Sequence, residues 1–509
     1  MIKIKHLIIV ALCAMITPIL FSACKKDRGT NQEEVLTPGP DVNFYALTSD
    51  SKLLLINAKN PSATTSSVNI SGLQDRETLL GIDFRPATGQ LYGLGSTSRL
   101  YVIDQKTGVA RSVSSAPFAT LLSGTAVGFD FNPTVDRIRV VTNTGQNLRL
   151  NPETGTVMIV DGAINGVTNA RVSSVAYTQN KAGATATVLF DIDAATDKLY
   201  KQDPPNDGKL VEVGSLGFDV DETGGFDINP DGTAAIAALS VGGTSALFNI
   251  DINSGKASKI GNLPANITGL AIPTEPVAYA VSNSNELLIF NPLASTPTVV
   301  VKAIAGIQAG EQILGIDFRP LNSQLYALGS TSRIYTINTS SGAATVVGTA
   351  PFTTLLSGTQ FGFDFNPTVD RIRIVSNTGQ NLRFNPLDGS VIVDITLNPA
   401  SVGITGAAYT NNFAGATTTV LYDIDSNSDK LVRQDNPNLG TLIEIGNLGV
   451  NIESSNGFDI GGTSGLAYGL FTVSNVSQRV YSINLTTGVA TAGAAIANAS
   501  RGFALGLGF

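Results

Sequence analysis

Beyond about residue 42 the chain is a succession of short apolar runs that alternate with polar residues and break every few positions at Gly, Asn, Asp or Ser. Alternation with a period of two is the pattern of a strand buried on one face, and such turn residues bound strands. One segment type recurs: glycine, an apolar residue, Asp or a small residue, an aromatic or apolar residue, then usually a turn. It reads GIDFRP at 81, GFDFNP at 128, SVAYTQ at 174, GFDINP at 225 and GLAIP at 269. It returns as GIDFRP at 315, GFDFNP at 362, GAAYTN at 406, GFDIGG at 457 and GLGF at 506, at intervals of 44 to 51 residues throughout. Each is followed by further alternating segments, such as LYGLGS at 91, RLYVID at 99 and GVARSVS at 108, giving four strands per unit. No stretch of this region holds a period of 3.6 over a helix's length.

Four-stranded units at this interval predict an all-β chain of propeller blades, since one blade cannot bury both faces and radial packing covers each with a neighbour. The region opens on a second-strand pattern, NFYALT at 43, and ends on a first-strand pattern, so a blade shared between the two termini closes the ring. The units also fall into two halves. Residues 116 to 155 and 350 to 389, 234 positions apart, share 32 of 40 residues. The expectation is two tandem five-bladed propellers over residues 42–273 and 274–509, with Gly269 to Ile272 closing the first and Gly506 to Phe509 the second. One ten-bladed ring is the alternative, because the connector PTEP at 273 is as short as a turn within a blade. The GIDFRP, QLY, LGSTSRLY, GFDFNPTVDRIRVV and GQNLR segments of both halves resemble the bacterial domain of unknown function 4394. That resemblance implies a propeller-like fold in secreted or envelope proteins and brings no activity, cofactor or catalytic residue.

The N-terminus changes the picture of where the protein resides. Lys3 and Lys5 precede an apolar run from Leu7 to Phe21 that is too short to span a bilayer, and small residues follow it: a signal peptide over residues 1–23. Cys24 after FSA resembles the lipobox cysteine of bacterial lipoproteins, and Lys25 behind it favours the outer membrane, on its periplasmic or surface-exposed side. Residues 24–41 read as a flexible tether with Pro38 and Pro40. With 40 acidic against 32 basic residues, two of the latter in the signal, the mature chain has a net charge of about −10, which disfavours nucleic acid as a partner. The single histidine is His6 and the cysteines are Cys13 and Cys24, so the globular region has no imidazole or thiol. Ser-His-Asp triads, thiol nucleophiles, Cys or His zinc sites and disulfides are thereby excluded from it.

Three constellations remain. Asp130, Asn132, Asp136, Arg137, Arg139, Asn147 and Arg149 recur as Asp364, Asn366, Asp370, Arg371, Arg373, Asn381 and Arg383, while turn residues such as Glu153 and Leu387 differ. Arginine forks suit carboxylates, phosphates or sugars, but Arg–Asp pairs between blades would survive duplication equally well. DIDAATDKL at 191 and DIDSNSDKL at 423 offer Asp191, Asp193, Asp197, Asp423, Asp425 and Asp429 as oxygen ligands for Ca²⁺, without the glycine and distal glutamate of an EF-hand; acidic hairpin turns are the simpler account. Asp83, Asp130 and Asp227, with Asp317, Asp364 and Asp459, occupy one position of the recurring segment and form a ring of acids beside each channel. No cofactor is otherwise called for. The expected protein is a lipid-anchored, non-enzymatic binder or scaffold with a protein or glycan partner; a carboxylate-based glycan hydrolase or lyase is the alternative.

Overall fold

The computed structural model describes residues 36–221, 224–348, 351–453, 457–474, 478–497 and 500–509. The signal segment and Cys24 lie outside these. Among the described residues there are ten four-stranded antiparallel sheets and no α-helix, only two single-turn 3-10 helices at Pro205–Asp207 and Pro437–Leu439. Five sheets belong to each half and are numbered here as blades in chain order.

In the first half the innermost strands of blades two to five are Leu79–Phe84, Val127–Asn132, Val172–Tyr177 and Gly224–Ile228. Blade one takes its innermost strand, Ile267–Ala271, from the far end of the half, paired with Asn43–Thr48 through Tyr45↔Ala271 and Leu47↔Gly269. Each innermost strand lies against the next, and Ile267–Ala271 lies against Leu79–Phe84, so the ring closes on itself. The second half repeats the arrangement with Ile313–Phe318, Phe361–Asn366, Ile404–Tyr409, Gly457–Ile460 and Ser500–Leu505. Its last strand pairs with Ala278–Ser282 through Ala278↔Leu505 and lies against Ile313–Phe318. Two closed five-bladed rings result, not one of ten. The closing strand of the second ring is Ser500–Leu505 rather than Gly506 to Phe509. That terminal GLGF follows the strand as a turn whose Phe509 carbonyl accepts from Thr463 N and Ser464 N. The tether also ends earlier than Asp41, because Thr37 N donates to Lys259 O and seats residues 37–41 on the first ring.

A ring of only five blades crowds its axis, and this explains the glycine of the recurring segment. A Cβ on Gly128 would stand 2.6 Å from Val175 Cγ1, and one on Gly225 would stand 2.2 Å from Leu270 N. Real contacts do not come so close, so a larger residue would force the blades apart. The apolar residues of the segment fill the gaps between blades: Phe129, Phe131 and Tyr92 pack together between blades two and three, as do Phe363, Phe365 and Tyr326 in the second ring. The LGSTSR motif has a physical reason as well. Thr97 N, Thr97 Oγ1 and Tyr101 OH all donate to the buried Glu77 carboxylate, at 3.1, 2.6 and 2.5 Å, and Glu311 is held in the same way by Thr331 and Tyr335.

Candidate functional site

The axis of each ring is built from the aspartates two residues beyond the glycine. Alternation points both toward the next blade. Asp83 accepts from Phe84 N on its own strand and from Phe131 N on the next blade, both at 2.7 Å. Asp130 Oδ1 accepts from Tyr177 N at 3.1 Å, and Asp227 Oδ2 from Ile272 N at 2.6 Å. The carboxylates of Asp83, Asp130 and Asp227 converge to within 4.8 Å, and those of Asp317, Asp364 and Asp459 do the same. All six are buried. Burial, with the neighbouring carboxylates, pushes Asp83, Asp130, Asp317 and Asp364 well above the usual carboxylate range, and burial raises Asp227 and Asp459 to about 7. Such groups can share protons or hold a hard cation. The bonds they already make stitch one blade to the next. From the wide end of the first ring, a cavity of about 140 Å³ lined by Thr48, Ser51, Thr78, Thr125, Ser173 and Thr268 leads toward them. The neighbouring void at the glycine layer, which shares Val127, Gly224 and Thr268 with it, is only about 10 Å³, too small for anything beyond a water.

Farther out, Arg139 lies between blades three and four, only 2% exposed. It donates to Asn147 Oδ1 at 2.8 Å, Asp161 Oδ2 at 2.6 Å, Asn206 Oδ1 at 2.8 Å and Tyr177 OH at 3.3 Å. The 3-10 turn Pro205–Asp207 presents Asn206 for this purpose. Arg149 grips Asp161 with both ends of its fork, at 2.7 and 2.8 Å. Arg373, Arg383, Asn381, Asp394, Asn438 and Tyr409 repeat the lattice. Asp130 and Asp364 belong to the axis and do not pair with these arginines. Arg137 and Arg371, half-buried, donate to the carbonyls of Asp136 and Asp370. Strand patterning missed Asp161 and Asp394, which follow the outermost strands in segments without a motif; their signal is that an Asp stands near each position in both copies.

The proposed Ca²⁺ ligands are not gathered into a site. Asp193 accepts from Arg171 N, Ala195 N and Thr196 Oγ1 as a turn residue, and Asp197 Oδ1 accepts from Val220 N. Asp191 and Asp423 are fully buried on the face of blade four that meets Arg139 and Arg373, with no hydrogen bond to either carboxylate oxygen. Burial raises Asp191 well above its ordinary value and Asp423 to about 8, against the pull of the facing arginine.

The pair that joins blades two and three is Arg85 with Asp136, bidentate at 2.9 and 2.5 Å, and its counterpart is Arg319 with Asp370 at 2.8 and 2.5 Å. Arg85 also reaches Glu153 at 3.3 Å and Ser323 O of the second ring at 3.2 Å. Gln324 donates to Glu153 at 2.9 Å and Ser323 Oγ to Gln90 at 2.7 Å. Glu153 is therefore a half-buried turn residue that links the two rings.

Beside this link opens a cavity of about 620 Å³, a volume that suits a small molecule. The first ring contributes Tyr92, Asp104, Lys106, Val109, Arg111 and Val113; the second contributes Leu321, Ser323, Phe413, Gly415, Thr463 and Ser464. Asp104 is the one carboxylate among the described residues lining it, and its Oδ1 accepts from Lys106 N and Thr107 N in a turn. Nothing in the sequence pattern marked this cleft, because its walls come from surface loops of different blades.

A family model described as Domain of unknown function (DUF4394) matches residues 52–271 and again 286–505. No curated protein matches the chain. Among solved structures, the Dos1 propeller is 10% identical, over 78% of this chain and 90% of that one, with a TM-score of 0.26. The extracellular domain of a hybrid two component system from B. thetaiotaomicron is 13% identical, over 91% of this chain and 61% of that one, with a TM-score of 0.24.

Proposed function

We propose, for a chain that belongs to the family of the domain of unknown function DUF4394 in two tandem copies, that it is a non-enzymatic binding protein held at the cell envelope by a lipid on Cys24. The observation that carries the binding reading is the cleft between the rings, which has the size of a ligand site and a single carboxylate already engaged in its own turn. A glycan hydrolase needs two carboxyl groups about 5 to 10 Å apart across a substrate. The two carboxylate triads found among the described residues are buried at the ring axes, out of reach of a sugar. The globular region also lacks histidine and cysteine, which removes the commonest base and the commonest soft nucleophile.

Two measurements test this. Mature wild-type protein partitions into detergent and Cys24→Ala abolishes that; an aqueous wild type with unmodified Cys24 overturns the anchor. Incubation with bacterial and plant polysaccharides yields no new reducing ends; their release, lost in Asp104→Asn, overturns the non-enzymatic reading.

A further inference from the structure

The cleft is lined where the two copies of the repeat differ. Arg111 corresponds to Thr345 in the second ring, Lys106 to Ser340, and, from the other wall, Phe413 to Lys181 and Leu321 to Ala87 of the first. One copy has a cation where its twin has a hydroxyl, and the other has apolar groups where its twin has a cation or a methyl. These differences meet in one place. Leu321 is 58% and Phe413 36% exposed, large apolar side chains that line the cleft together with Val109 and Val113. Lys106 is engaged, donating to Thr463 O across the rings at 2.5 Å. Arg111 is not: it makes no hydrogen bond or ion pair with any described residue. Its guanidinium is nevertheless seated rather than loose, against Gly415, where a Cβ would come within 2.2 Å of Nη1. A cation with its fork unused, seated against a glycine of the opposite ring in a cleft that an aromatic ring and a leucine also line, is a recognition geometry for an anion on an apolar body.

We propose that this cleft binds a small molecule with an oxyanion (carboxylate, sulfate or phosphate) on an apolar, ring-sized body, Arg111 taking the anion and Phe413 and Leu321 the body. The inference rests on the binding reading above and names the ligand class for it. Asp104 and the net negative charge of the chain do not prevent this, because Asp104 is tied to its own turn and Arg111 and Lys106 make the lining locally basic.

Two fluorescent probes that share one ring system test it: 1-anilinonaphthalene-8-sulfonate, with the anion, and N-phenyl-1-naphthylamine, without it. The full chain is titrated as Cys24→Ala so that no acyl chain competes for the probe. The sulfonate binds with one site per chain, and Arg111→Gln, an exposed position, weakens it about tenfold while leaving the neutral probe unchanged. Phe413→Ser weakens both. Unchanged sulfonate affinity in Arg111→Gln, with neutral-probe binding still sensitive to Phe413→Ser, overturns the ligand class and leaves the binding cleft standing. If neither probe responds to Phe413→Ser, the cleft is not a ligand site and both readings fall.

Discussion

Arg139 in the first ring and Arg373 in the second make the same four bonds, with Asn206 at 2.8 Å from one and Asn438 at 3.0 Å from the other. Arg85 and Arg319 do not match in this way. Both hold an aspartate of the next blade, but Arg85 adds Glu153 and a carbonyl of the other ring, whereas the position of Glu153 is filled in the second ring by Leu387, 72% exposed. The difference teaches what duplication keeps. Groups that hold a ring to itself are needed twice and stay the same; groups at the meeting of the rings are needed once and have diverged. The cleft belongs to the second kind.

The largest expected effect comes from breaking what the rings share. Arg139→Ala leaves Asp161 buried, 4% exposed, with only Arg149 beside it, and Arg373→Ala does the same to Asp394. Removing one partner of a buried pair costs about 3 to 5 kcal/mol. Each variant loses this from its own ring, seen as earlier denaturant unfolding and faster hydrogen exchange in blades three and four of that ring. Unequal losses, or variants that unfold like the wild type, break the equivalence.

Next comes the pH response of the axes. Asp227 and Asp459, raised to about 7, bind a proton in the folded protein that the unfolded chain gives up near pH 4. Their contribution is complete below about pH 4 and is lost as the pH climbs to about 7, on the order of a few kcal/mol per ring. The groups facing Asp227 are Asp83, Asp130 and the N–H groups of Ile228 and Ile272, with no cation among the described residues to reverse the sign. Denaturation from pH 4 to 8 should show falling stability, and Asp227→Asn or Asp459→Asn should each flatten part of the slope. A slope that rises over this range would mean that the triads are ionised and charge-compensated.

The third effect is smaller. Arg85→Ala, at a residue fully buried with bonds to two carboxylates and a carbonyl, should cost about 1 to 2 kcal/mol more than Arg319→Ala. Equal costs would show that the contact between rings adds nothing to the pair within the ring.

Strand alternation, the interval of the recurring segment and the split first blade made the two rings legible, because a four-stranded blade and its closing strand are set by local periodicity. The closing strand of the second ring was misplaced by a few residues since GLGF repeats the glycine-apolar cadence of GFAL just before it. The axial aspartates were legible as one position of the segment, but not their convergence, which depends on how tightly five blades close. Asp161, Glu153 and the cleft were hidden because no period in the chain connects them to their partners: those of Asp161 are 12 and 22 residues away on other strands of its own blade, and those of Glu153 are 68 and 171 residues away in other blades.

The finest test exchanges the residues that distinguish the rings. Glu153 is 19% exposed and receives bonds from Arg85 in its own ring and Gln324 in the other, so it ties the two loops that border the cleft. Glu153→Leu installs the second ring's own residue, leaves Arg85 with both oxygens of Asp136, and removes the bond to Gln324. Because the lost bonds are partly exposed and one partner stays paired, the cost should be about 1 kcal/mol or less. Its location matters more than its size: hydrogen exchange should quicken in residues 319–326 and 85–90 and stay unchanged at the axes. Leu387→Glu, at a position 72% exposed, should change neither stability nor exchange. Were Glu153→Leu also silent, the divergence of the two copies at this position would be drift on a surface, and the rings would be joined without it, by the Arg85 to Ser323, Ser323 to Gln90, Tyr279 to Ala87 and Lys106 to Thr463 bonds among others.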